Sequence, residues 1–218
     1  MTAVPDLRFR VESAAAIPYA ALPTLGFTLG VDNPSGVPVE TVSLQVQVRI
    51  EATRRRYQAA EKERLRDLFG TPDRWGKTLH TFLWTHAATQ IGSFTGSTTA
   101  QLPITCTFDF DVVATKYLYA LEEGEVPTLL LFSGSIFFRD DEGQLQMTLI
   151  NWDQEASYRL PVSVWKDVMN VYFPNTAWLD LHRDTFDQLL AYKTRHGIPT
   201  WDATLERLLS EAKEPSPA

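Results

Sequence analysis

Asp109 and Asp111 come nearer than any other pair in this chain to the two carboxylates that hydrolytic chemistry uses. They sit in QLPITCTFDFDVV, Gln101 to Val113. There Leu102, Ile104, Cys106, Phe108, Phe110 and Val112 share one parity, and Thr105, Thr107, Asp109 and Asp111 the other. A period of two predicts a half-buried strand, with the two carboxylates about 7 Å apart on its polar face. One carboxyl could serve as acid and the other as base at that spacing; two solvated charges are the plainer alternative. His86 is the third polar candidate, on a strand expected over Leu79 to His86. His80 shares its parity, but six extended residues hold the imidazoles roughly 20 Å apart, too far to share a metal ion. His182 and His196 are also spread out, with no cysteine or carboxylate at a supporting position, so neither a metal nor a cofactor is predicted. No Gly-x-Ser-x-Gly elbow or phosphate-cradling loop occurs, and Gly92-Ser-Phe-Thr-Gly and Ser133-Gly-Ser lack the flanking pattern.

Charge and composition narrow the class. The 218 residues carry 20 basic and 27 acidic side chains, net charge −7, which offers no broad attraction for nucleic acid or an anionic membrane. With 44% apolar residues there is ample material for a core. Cys106 is the single cysteine and falls on the apolar parity, so it is expected to be a small buried hydrophobe. No signal peptide is visible, and no window approaches the roughly 20 apolar residues of a membrane span. The expectation is a cytoplasmic protein without membrane insertion.

Strands must position any such groups. Leu7 to Val11, Thr24 to Val31 and Val42 to Glu51 alternate, the second and third separated by a turn-forming Asp32-Asn-Pro-Ser-Gly segment. Thr128 to Arg139 is apolar on both parities and reads as an interior strand. Asp140 to Gly143 then turns the chain into Gln144 to Asn151. A helix over residues 54–69 interrupts the strands, and three short helices follow Trp152, one of them capped by Thr200. The predicted class is mainly β: an antiparallel β-sandwich with an inserted helix and a C-terminal helical subdomain. The expected division is 1–151 for the sandwich, 152–212 for the helical subdomain packed on it, and 213–218 for a disordered tail.

Two groups suit contact with a partner. Arg54, Arg55 and Arg56 lead the inserted helix, where basic residues oppose the helix dipole and a phosphate role is disfavoured. Trp165, Trp178 and Trp201 belong to a dense aromatic set between residues 152 and 201, the kind of side chain that anchors interfaces. Docking of a helical subdomain onto the sheets would use the same residues.

The runs RRRYQAAEKERLRDLFGTPDRW, FTGST, FSG, WDQEASYRLPVSVW, YFPNTAWLDL and YKTRHGIPTWDATLERLL resemble an uncharacterised actinobacterial family, a domain of unknown function, over nearly the whole chain. The resemblance carries no catalytic residues. It implies an accessory or assembly role beside nickel-iron uptake hydrogenases. The leading expectation is therefore a non-enzymatic interaction or accessory factor with a protein partner. Two alternatives stand beside it. One is a hydrolase or small-ligand binder with Asp109, Asp111 and His86 in a pocket between sandwich and helices. The other is a self-associating structural protein.

Overall fold

Val42, Leu44, Val46, Val48 and Ile50 alternate with polar residues, which gives their strand one face to bury and one to expose. The computed structural model, which describes residues 3–110 and 112–212, places that strand inside a sheet. In chain order the strands are β1 (Arg8–Ala16), β2 (Thr24–Asp32), β3 (Val39–Ile50), β4 (Phe82–Ile91), β5 (Ser97–Thr105), β6 (Glu125–Arg139), β7 (Leu145–Leu149) and β8 (Glu155–Pro161). The helices are α1 (Ala59–Arg64), α2 (Arg66–Phe69), α3 (Trp75–Thr78), α4 (Val113–Ala120), α5 (Val162–Tyr172), α6 (Arg183–Arg195) and α7 (Trp201–Glu211). The chain divides into two compact units, Met1–Trp178 and Leu179–Ala218.

The first unit holds two antiparallel sheets. One is β1-β2-β5; the other runs β4-β3-β6, with β7 and β8 paired to successive stretches of the outer side of β6. The sheets face each other across a core that includes Phe27, Leu29, Val48, Leu102 and Ile104, all at most 1% exposed. Phe9 stacks on Phe132 at 4.5 Å, and Phe27 meets Trp84 and Tyr158 edge-on at 6.4 and 5.8 Å. Gly134 lies on β6 between the footprints of β7 and β8, at φ +140. A Cβ there would come within 2.0 Å of the Ser43 carbonyl oxygen, so only glycine lets β3 and β6 stay paired.

The architecture is the mainly antiparallel β-sandwich that the alternation predicts, with four local differences. The strand expected over Gln101 to Val113 ends at Thr105. Beyond it, side chains take over the backbone groups: the Thr107 hydroxyl accepts from Asp109 N at 3.1 Å, and the Thr115 hydroxyl donates to Thr107 O at 3.0 Å. Val112 then stands at the N-terminus of α4. The inserted helix starts at Ala59, five residues later than residue 54, because Gln58 and Glu61 close a reciprocal capping box there. It breaks again at Leu65.

The third difference is β8, a strand that was not expected, formed within the span assigned to the helical subdomain. Its Ala156, Tyr158 and Leu160 turn toward the interior while Glu155, Ser157 and Arg159 stay exposed. Fourth, the boundary between compact units falls after Trp178, so β8 and α5 belong with the sheets and not with a unit beginning at 152. The tail at 213–218 lies outside the described residues.

The second unit is α6 and α7. The Thr200 hydroxyl accepts from Ala203 N at 3.2 Å and caps α7 as expected. Phe186 meets Trp201 at 5.3 Å, and the Tyr192 hydroxyl donates to the Glu211 carboxylate at 3.0 Å.

Candidate functional site: an open aromatic cluster

Where β5 leaves its ladder, Phe108 and Phe110 turn in toward α4 and α5 and build an aromatic cluster in the first unit. Phe108 lies 5.8 Å from Tyr119, 6.2 Å from Trp165 and 5.6 Å from Phe173, measured between ring centroids. Phe110 meets Tyr119 at 4.9 Å, and Phe173 meets Trp178 at 5.3 Å. Most of these contacts are edge-on or tilted, the arrangement ring quadrupoles favour. Phe108 and Trp165 are buried at 7% and 3% exposure, whereas Tyr119 and Trp178 stand at 50% and 64%. Val112 and Val113 are exposed beside them in sequence.

A concavity of about 470 Å³ opens on this cluster. Phe108, Tyr119, Trp165 and Met169 supply its apolar lining, and Arg64, Lys166 and Asn170 its polar lining. Arg64 pairs with Glu122 at 2.8 Å, and Lys166 Nζ donates to the Glu122 carbonyl at 2.9 Å. An apolar aromatic floor with a partly neutralised cationic rim suits docking of an apolar side chain. Among the described residues that line it, none is a carboxylate, an imidazole or a thiol.

Of the residues singled out from sequence, Asp109, Trp165 and Trp178 come together here; a parallel backbone bridge joins Asp109 to Trp178. Asp111 lies outside the described residues. With the strand ended at Thr105, Asp109 no longer sits on a polar strand face. His86 is exposed on β4 in the other sheet, within 3.2 Å of the Gln47 amide nitrogen. It lines a separate concavity with Gln45, Gln47, Leu131, Ser133 and Trp152, of which Asp109 is not a wall. The three groups of the hydrolase alternative are therefore not brought into one concavity among the described residues.

The three arginines part company. Arg54 is exposed and pairs with Glu51 at 3.0 Å, and Arg56 is exposed. The Arg55 side chain is only 8% exposed. Its guanidinium pairs with Glu61, donates to the carbonyls of Glu123 and Glu125 at 2.8 and 2.9 Å, and lies 5.6 Å from the Tyr57 ring centre. Glu61, wholly buried, accepts backbone N–H bonds from Gln58 and Glu122, each at 3.0 Å. Burial pushes its pKa upward, but those two bonds together with Arg55 outweigh it and hold the carboxyl below its ordinary value. Beside the pair, the Tyr57 hydroxyl donates to Ala52 O at 2.7 Å, which leaves Tyr117 to donate to Tyr57 at 2.7 Å. Burial pushes Tyr57 up to about 12 and raises Tyr117 as well. Arg55 thus serves as an internal anchor, and the partner-contact expectation keeps only Arg54 and Arg56 on the surface.

Trp165 is likewise a core side chain, and Trp201, 39% exposed, packs on Phe186 in the second unit with Lys193 Nζ 5.7 Å from its ring. Cys106 is buried as expected, and that burial pushes its thiol up to about 12 against a hydrogen bond with the Leu25 backbone. Phe108, Phe110, Tyr119, Arg64 and Lys166 escaped sequence reasoning, whereas Phe173 belonged to the C-terminal aromatic set. The available signal was the density of aromatic residues between 108 and 119, which strand alternation absorbed.

Among the described residues, no group of three or more His, Cys, Asp or Glu could hold a metal ion, and no helix is long and apolar enough to cross a membrane. The class defined so far is a two-sheet antiparallel β protein with an aromatic surface cluster. The chain belongs to the family of unknown function DUF6084, whose model matches residues 4–217. No curated protein matches it. Among solved structures it is similar to a CARDB domain from Pyrococcus furiosus, crystallised in complex with di-metal ions: 14% identity over 72% of this chain and 93% of that one, TM-score 0.29. A putative ApaA protein from Bordetella pertussis is similar at 11% identity over 72% and 93%, TM-score 0.27.

Proposed function

We propose that the protein is a non-enzymatic interaction factor that engages a protein partner through the open aromatic cluster. The observation that supports this reading is the continuity of exposed Tyr119 and Trp178 with the buried rings of Phe108 and Trp165 and the half-buried ring of Phe173. Such an arrangement holds the exposed rings in place before a partner arrives, so little side-chain entropy is lost on docking. The family resemblance supports an accessory or assembly role in the cytoplasm, for a redox enzyme such as an actinobacterial nickel-iron hydrogenase. The test is affinity capture of the tagged full chain from its native cells, with mass spectrometry and light scattering. A stoichiometric partner that is lost on Trp178→Ala with Tyr119→Ala is the expected result. Capture that survives the double substitution overturns the reading, as does a chain recovered alone and monomeric; a homodimer would replace the partner with a second copy.

A further inference from the structure

A different surface, the outer edge of β7, is left open by the fold. β4 lies beside β5 and β1 beside β8 along the flanks of the sandwich, but among the described residues β7 pairs with β6 alone. Gln144 O accepts from Asp140 N and Ile150 N donates to Gly134 O, each at 3.0 Å. Because an antiparallel ladder alternates, the even-numbered residues of β7 turn their backbone groups toward β6. The N–H and C=O groups of Leu145, Met147 and Leu149 then face the open edge.

Edge strands are ordinarily protected by charge, proline or a bulge. β1 carries Arg8, Arg10, Glu12 and a register shift at Val11/Ser13, and β8 carries Glu155, Arg159 and Pro161. β7 reads LQMTL and has none of these. Its Leu145, Met147 and Leu149 side chains share one face at 58, 55 and 69% exposure, with Trp152 beyond them at 92%. The flanks are acidic: from 140 to 155 the chain carries Asp140, Asp141, Glu142, Asp153 and Glu155 and no Lys or Arg. Asp140 already accepts from Glu142 N, Gln144 N and Gln146 Nε2, whereas Asp141, Glu142, Asp153 and Glu155 are exposed.

We infer that the edge of β7 accepts an extended segment of a partner protein, apolar at every second position and basic at both ends, as an added strand. Backbone pairing at Leu145, Met147 and Leu149 would align it, the exposed leucines, Met147 and Trp152 would cover its apolar side chains, and the acidic flanks would select its charge. A second copy of this chain would bring the same carboxylates against themselves.

The probe is the peptide Lys-Lys-Val-Thr-Val-Thr-Val-Lys-Lys, compared by fluorescence anisotropy with its Glu-flanked counterpart on the full chain. The Lys-flanked peptide is expected to bind at least about tenfold tighter, with the advantage shrinking as salt rises. Met147→Pro removes an outward N–H without removing a bond to β6, so it should keep the native circular dichroism and lose the peptide. Asp141→Lys with Glu142→Lys, confined to an exposed turn, should remove most of the preference even if the proline variant does not fold. Equal affinity for both peptides, no binding by either, or binding retained in folded Met147→Pro overturns the inference. A dimer in light scattering that Met147→Pro splits overturns it too, with a second copy as the occupant. Trp178→Ala should leave peptide binding unchanged, which separates this edge from the aromatic cluster.

Discussion

One helix serves two aromatic clusters that differ in what they enclose. Tyr117 and Tyr119 lie two positions apart on α4 and so point to opposite sides of it. Tyr117, fully buried, joins Tyr57, Phe69 and Phe82 with ring centroids 5.3 to 6.3 Å away. That cluster lies against the Arg55–Glu61 pair through the Tyr57 ring, and backbone groups of Gln58, Glu122, Glu123 and Glu125 satisfy most of the pair's polar atoms, although among the described residues Arg55 Nε has no partner. Tyr119, half exposed, joins Phe108 and Phe110 in a cluster that stops short of closure. A polar centre can be buried only when hydrogen bonds surround it, so the first cluster had to close. Nothing polar compels the second to do so, and its outer rings remain available.

The sharpest way to break the comparison is to remove one half of the buried pair. Arg55→Ala or Glu61→Ala should cost about 3–5 kcal/mol in urea denaturation, since each strands a buried charge. If either costs less than about 1 kcal/mol, the first cluster is not organised around the pair. In the open cluster, Trp165→Ala should cost about 3–5 kcal/mol as a core truncation. By contrast, Trp178→Ala, on the exposed rim, should stay near 0.5 kcal/mol. Similar losses for the two tryptophans would mean that the rim is structural.

Titration sharpens the contrast further. Glu61 has its folded pKa below the ordinary 4.5, so the stability it adds is present above that value and fades as pH falls through the depressed one. Thermal melts from pH 6 to pH 3 should show the loss, and Glu61→Gln should flatten it. Tyr57 works in the opposite sense. Its folded pKa of about 12 exceeds the ordinary 10.0, so stability is whole below pH 10 and declines between 10 and 12. Tyr57→Phe should reduce that alkaline decline. An effect well below that of the core truncations is expected outside both clusters, where Thr200→Ala removes the cap of α7 and costs about 1 kcal/mol of helix stability, readable by hydrogen exchange at Ala203.

Much of the fold was legible because alternation reports directly on burial. β2 and β3 appear within three residues of where Leu25 to Val31 and Val42 to Ile50 place them, and Thr128 to Arg139 is an interior strand for the reason its double-sided apolarity suggests. The candidate site was legible only in part. Trp178 was marked by its type, but Phe108 and Phe110 continued the parity of β5 so regularly that the end of the strand at Thr105 could not be seen. That end depends on hydroxyls of Thr107 and Thr115, eight residues apart, capturing backbone groups the ladder would otherwise use.

By itself the sequence determined which faces were apolar, where helix α7 begins and that Cys106 would be buried. Those properties follow from local periodicity and side-chain chemistry. The tertiary structure alone decided which of three consecutive arginines would be buried, because Arg55 becomes an anchor only where Glu61 and the carbonyls of Glu123 and Glu125 converge on it. It also decided that β8 is a strand and that β7 is left with an open edge. Strand pairing joins backbone groups distant in sequence, and side-chain alternation carries no information about which partner will supply them.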